Sequence, residues 1–262
     1  MNGFRKAIFY LAAAAAALTL SVFTSCKKDD TLHYNNVTMG NIVDGRFVSD
    51  QGNIFNIVDQ QCSGQLDTMK RALVICDVLN KTAQGKDNEY DIRLNGIVTV
   101  LTKDIVPSAG ITEEIQVQDP IRIEEAWISG GYINLYIMFP IKVGSKTMHL
   151  INLVHEGCIK DAATGEDMEG TYCFTLRHNS FEDKVTSDKD LEYVLAGGYV
   201  SFPLNSFITE SKADFLLNWV VGTDNTDESS PKPVTQSLRG KYTTDSYQHS
   251  PRTTNMRTAR IK

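Results

Sequence analysis

Cys26 is the side chain here whose neighbours define its chemistry most clearly. It follows the small residues Thr24 and Ser25, an apolar run from Ile8 to Phe23, and two cations, Arg5 and Lys6. A basic start, a short apolar core and a small-residue cleavage site make a secretory signal. A cysteine directly after that site is the acceptor for a thioether-linked lipid, and cleavage frees its amine for acylation. The apolar run is about 16 residues, shorter than the ~20 a spanning helix needs. Residues 1–25 are therefore expected to be removed, leaving the chain held to a membrane by lipid. Each buried methylene of such an anchor contributes about 0.8 kcal/mol.

The remaining reactive side chains form no familiar catalytic set. The sequence contains no G-x-S-x-G, phosphate-binding loop, G-x-G-x-x-G or H-E-x-x-H. His149 and His155 would share one face of a strand, but about 20 Å apart, too far to hold one metal. His178 could join His155 in a polar cluster across a hairpin. The adjacent acids Glu113/Glu114 and Glu124/Glu125 would point to opposite faces of a strand, so neither pair flanks one bond. Glu166, Asp167 and Glu169 lack the ligand ladder of a calcium loop. No catalytic residue, metal site or cofactor is expected.

Cys158 and Cys173 bracket a polar turn, Asp161–Gly170, whose midpoint is also theirs. In a symmetric hairpin they would lie opposite each other, with Cα atoms within disulfide reach. A single bulge would break that pairing. Cys76, inside Ala72–Leu79, reads as a core residue.

These residues sit in a chain patterned for strands. Short β-branched and aromatic runs recur between Gly, Asn, Asp and Pro, the pattern of an all-β protein. Val37–Val43, Arg46–Ser49, Asn53–Val58, Arg71–Leu79 and Tyr90–Leu101 suit a small OB-like barrel over 36–105, with Asp44-Gly45 as a hairpin turn. After a linker at 106–118, strands resume: Ile121–Ile128, Tyr132–Phe139, Thr147–His155, Thr171–His178, Tyr193–Phe202 and Asp214–Val221. They suit a β-sandwich over 119–222. In Tyr132–Phe139 the aliphatic face is Ile133, Leu135, Ile137 and Phe139. Trp127, Tyr132 and Tyr136 fall around the Gly130-Gly131 turn. They form either a binding surface, stacking on a sugar or anchoring a protein, or a face buried against the barrel. Residues 26–35 read as a tether and 223–262 as a polar, disordered tail.

Loss of the signal leaves 24 basic residues against 32 acidic ones, a net charge near −8. That excludes a general nucleic-acid-binding face. The charge is uneven: from Pro231 onward seven Lys/Arg accompany one acid, Asp245.

Several stretches together resemble the NigD-like lipoproteins of Bacteroidota. They are Tyr90-Asp-Ile-Arg-Leu-Asn-Gly through Ile105, Asp119-Pro-Ile, Ala126-Trp-Ile-Ser-Gly-Gly-Tyr-Ile-Asn-Leu135, His149-Leu-Ile-Asn-Leu-Val154 and Leu176-Arg-His-Asn179. The looser Phe-Thr-Ser-Cys lipobox is also similar to theirs. The likeness runs from Cys26 to Val221 and omits the basic tail. It implies an OB-type barrel followed by a β-sandwich, and it carries no catalytic residue. Lys28, Asp29 and Asp30, just after the cysteine, resemble the surface-export signal of such lipoproteins. The expectation is an outer-membrane lipoprotein facing the cell surface, with an envelope-protein or glycan partner. A role beside bacteriocin export or immunity rests on the family's name.

Overall fold

A computed structural model describes residues 35–63, 68–81, 88–185, 192–224 and 232–244. Cys26, Lys28, Asp29 and Asp30 lie outside these residues.

The first unit is a closed five-stranded barrel. Its strands are β1 (Asn35–Val43), β2 (Arg46–Ser49), β3 (Ile54–Gln60), β4 (Arg71–Lys81) and β5 (Glu89–Thr102). Asp44 and Gly45 both have positive φ, 50° and 74°, as a two-residue hairpin turn requires. β1 pairs with β2 and β4, β4 pairs with β5, and a parallel β3–β5 pairing closes the ring in OB-type order. Register shifts in β4 and β3 against β5 bend the long strands enough to close. Phe47, Phe55, Val74, Cys76, Ile92 and Leu94 fill the interior.

The second unit is a sandwich. One sheet holds β7 (Arg122–Ser129), β8 (Tyr132–Lys142) and β11 (Tyr193–Pro203). The other holds β6 (Val106–Pro107), β9 (Leu150–Gly157), β10 (Thr171–Asn179), β12 (Lys212–Asp224) and β13 (Lys232–Thr243). Ile133, Leu135, Ile137 and Phe139 face inward as their alternation requires, against Ile151, Leu153, Phe174, Leu176 and Leu217. Val100–Thr102, at the end of β5, pairs with Tyr199–Ser201 of β11, so one eight-stranded sheet runs through both units.

Strand β13 corrects the reading of everything after 223 as a disordered tail. It pairs with β12 along its length. Residues 232–239 are exposed on both faces, so no apolar alternation marked them; cross-strand pairing, not burial, makes them a strand.

Of the two readings of Trp127, Tyr132 and Tyr136, the structure selects the face buried against the barrel over the binding surface. Trp127 and Tyr136 are 4 % exposed. With Tyr199, Val100, Met39 and Leu73 they form the core between barrel and sandwich. Tyr136 packs on Tyr199 at 4.7 Å between ring centroids. Tyr132, half-buried, lays its ring over the Arg71 guanidinium at 4.0 Å.

Arg71 is the centre of a buried lock between the units. It is fully buried, and its five N–H donors are all used. Nη1 donates to Asp50 Oδ1 (2.8 Å) and Asn41 Oδ1 (2.9 Å), and Nη2 to Asp50 Oδ2 (2.6 Å) and Asn134 Oδ1 (3.0 Å). Nε donates to Ser201 Oγ (3.2 Å), which in turn donates to Asn134 Oδ1 (2.6 Å). Ser129 Oγ donates to Asp50 Oδ2 (2.5 Å) and accepts from Asn134 Nδ2 (3.0 Å) and Trp127 Nε1 (3.2 Å). Asn41, Asp50 and Arg71 belong to the barrel; Ser129, Asn134 and Ser201 belong to the sandwich. Gly130 keeps the space open: a Cβ there would sit 2.4 Å from Asp50 Oδ1.

Candidate functional site

The polar cluster with the most chemical capacity lies where two strands part. β10 and β12 run parallel up to the Leu176–Trp219 pair. Beyond it Asp119-Pro120-Ile121 enters as a wedge. Asp119 N–H donates to His178 O and Ile121 N–H to Val220 O, both at 2.8 Å. The split leaves a cavity of about 260 Å³ lined by Asp119, His178, Ser180, Asp183, Lys184 and Thr223, among others.

Behind it runs a chain of buried hydrogen bonds. His178 Nδ1 lies 3.1 Å from Pro120 O, His178 Nε2 lies 2.9 Å from His149 Nδ1, and His149 Nε2 lies 3.0 Å from Asp183 Oδ2. A carbonyl can only accept, so His178 carries its proton on Nδ1 and accepts at Nε2 from His149 Nδ1–H. The last bond then needs another proton, between His149 Nε2 and Asp183. The four groups thus form one continuous buried chain from Pro120 O to Asp183 Oδ2. Burial, followed by the positive charge of His149, pushes His178 down to about 4. Phe139 caps both rings, with centroids 4.4 Å from His149 and 4.8 Å from His178. Asp183 is presented by a turn in which Phe181 has φ of 50°, a strained value for a non-glycine residue. Asn179 Oδ1 fixes that turn by accepting Phe181 N–H at 2.9 Å.

Ser180 faces Asp119 rather than an imidazole. Its Oγ and N–H donate to Asp119 Oδ2 at 2.6 and 2.9 Å, and Lys184 Nζ is 3.3 Å from Oδ1. Burial alone would raise the Asp119 carboxyl. The Ser180 hydrogen bonds and the Lys184 charge outweigh it and leave the group below the usual carboxylate range. A carboxylate held so firmly as an anion is a poor base for activating a serine.

Residues 104–228 match the profile of the NigD-like C-terminal beta sandwich domain. The chain carries a NigD-like β-sandwich. Three solved structures share the fold of most of the chain. A candidate toxin-related protein from Parabacteroides distasonis is 24% identical, covers 80% of this chain and 94% of its own, and superposes with a TM-score of 0.55. A NigD-like immunity protein from Bacteroides caccae is 14% identical, covering 80% and 97%, with a TM-score of 0.54. A candidate lipoprotein from Bacteroides fragilis is 12% identical, covering 80% and 99%, with a TM-score of 0.53. No curated protein sequence matches this one.

Within the NigD-like sandwich the expected pairings change. His178 meets His149, not His155, because the register sets Ile151 opposite His178 and brings His149 alongside. His155 instead packs among Tyr172, Phe174 and Phe207. Cys158 and Cys173 are both free thiols. The register sets Gly157, not Cys158, opposite Cys173. Cys173 Sγ accepts from Asn218 Nδ2 at 3.4 Å. Of the acids considered earlier, Glu124 pairs with Arg122, and Asp167 with Lys160 at 2.5 Å. Among the described residues no three His, Cys, Asp or Glu side chains are grouped to hold a metal ion.

Sequence reasoning missed Asp119, Asp183 and the lock residues Asp50, Arg71, Asn134 and Ser201. The one available signal was Asp119-Pro120, an acid at a conformationally fixed point before a strand.

Proposed function

We propose that this is a lipid-anchored envelope protein, held through Cys26, whose barrel and sandwich act as one rigid body that binds without turning over a substrate. The carrying observation is that the reactive groups of the cavity are committed to one another. Ser180 serves Asp119, and His178 is bonded through both ring nitrogens to Pro120 and His149. Anchoring is supported by the cysteine after Thr24-Ser25 and by the likeness to a candidate lipoprotein. Lys28-Asp29-Asp30 supports display on the outer face of the outer membrane. A protein of the same envelope is the favoured partner. Glycan stacking on Trp127 loses its basis, because that ring is in the core.

The test is protease and antibody accessibility on intact cells, for wild type and Cys26→Ser. Accessible wild type, with the variant released from the membrane fraction, supports the reading. Wild type that is protected until the outer membrane is opened would refute surface display and turn the body toward the periplasm.

A further inference from the structure

A second cleft, unrelated to the histidine cluster, opens between the β9–β10 hairpin and the β12–β13 pair. Its volume is about 470 Å³, within the range of small-molecule sites. The hairpin leaves the sheet at Thr171, whose hydroxyl donates to Met168 O (2.5 Å) and accepts Ile159 N–H (3.0 Å). Ile159 and Met168 form one wall, and Asp214, Phe215, Arg239 and Lys241 form the other. Phe215, 3 % exposed, packs under Gly240, its partner in register, on the core side of the sheet. A Cβ on that glycine would come within 2.2 Å of the ring, so the close packing beneath the cleft depends on a bare backbone.

The polar side of the cleft is cationic. Arg239 and Lys241 are two apart on β13 and therefore share a face; both are exposed. Lys241 is opposite Asp214 in register. Neither cation makes an ion pair among the described residues. Two cations against one carboxylate give a local positive site in a protein of net charge −6. Met168, an apolar side chain 43 % exposed, stands on the wall facing them.

Deepening the binding role proposed above, we infer that this cleft takes a small organic anion with an apolar body, a medium-chain carboxylate being the simplest. The chain would lie against Ile159 and Met168, with the carboxylate between Arg239 and Lys241. An Arg fork suits a carboxylate bidentately, which explains a guanidinium at this position better than a second ammonium would.

The experiment is isothermal titration of the Cys26→Ser protein, the whole chain without its lipid, with decanoate and with decan-1-ol. Decanoate should bind saturably, at least tenfold more tightly than the alcohol. Arg239→Glu with Lys241→Glu should weaken decanoate at least tenfold and leave the alcohol within twofold. Met168→Asp should weaken both. All substituted residues are exposed, and circular dichroism checks that each variant is folded. Equal binding of acid and alcohol, no saturable binding, or decanoate affinity unmoved by the charge reversal would overturn the inference. The accessibility assay on cells is independent of all three results, so the cleft and the anchored binding body can fail separately.

Discussion

Replacing Arg71 with alanine should be among the most damaging single changes outside the apolar core. The guanidinium makes five hydrogen bonds at 2.6–3.2 Å, two of them to Asp50. The two side chains are 0 % and 2 % exposed. Removal leaves Asp50 as a buried carboxylate supported only by Ser129, and orphans Asn41 Oδ1. Removing one partner of a buried ion pair typically costs about 3–5 kcal/mol, because the other charge stays behind. With a urea slope of about 2 kcal/mol/M, the midpoint should fall by about 1.5–2.5 M. The double variant Arg71→Ala/Asp50→Ala should lose less than the sum of the singles, since no lone charge remains. Urea denaturation of the four forms at pH 7, followed by far-UV circular dichroism and tryptophan fluorescence, measures the coupling. The lock joins both units, so the two probes should report one transition. A loss below about 1 kcal/mol for Arg71→Ala, the range of an exposed ion pair, would mean that Arg71 and Asp50 are not a desolvated pair.

Other expectations follow from individual residues. His178 is held down at about 4 from an ordinary 6.5, so below pH 6.5 the unfolded chain takes up a proton that the folded one refuses. Its contribution should fall by about 3 kcal/mol between pH 6.5 and 4, and Asp119, also lowered, adds a loss of the same sign at more acid pH. Urea midpoints for wild type and His178→Phe should show the variant with the shallower acid slope; parallel slopes would contradict the assignment. Gly130→Ala combines a φ of 59° with a Cβ at 2.4 Å from Asp50 Oδ1, and should cost well over the ~1 kcal/mol of backbone strain alone; an unchanged thermal midpoint would contradict the close approach. Thiol titration of the unreduced, denatured protein should find Cys62, Cys76, Cys158 and Cys173 all free. A missing pair that returns on reduction would restore the disulfide.

The parts of the fold legible in the sequence were those fixed by neighbours in the chain. Alternation along Tyr132–Phe139 assigns its core face, and Asp44-Gly45 and Gly130-Gly131 announce their turns because only such residues take positive φ cheaply. The lock was not legible. Arg71 meets Asp50, 21 residues away, and Ser201, 130 away, and no local pattern links them. Arg71 opens an apolar strand, a position where a charged side chain is ordinarily solvated. The same holds for His149 and His178, 29 residues apart: their meeting depends on strand register, which one bulge changes. The same pairing sets Gly157 rather than Cys158 opposite Cys173. The aromatic face was read with its alternatives open, and the barrel settled it by covering Trp127 and Tyr136. β13 carries almost no burial signal, so composition placed it in a tail.

A folded binding body tied to a membrane through Cys26 depends first on that tie. Intact-mass and peptide mass spectrometry of protein from the membrane fraction tests that tie directly. The expected result is a mature chain beginning at Cys26 with an acylated, thioether-lipidated residue, and a Cys26→Ser form that leaves the membrane fraction. A chain that retains residues 1–25, or an unmodified Cys26 in soluble protein, would contradict it.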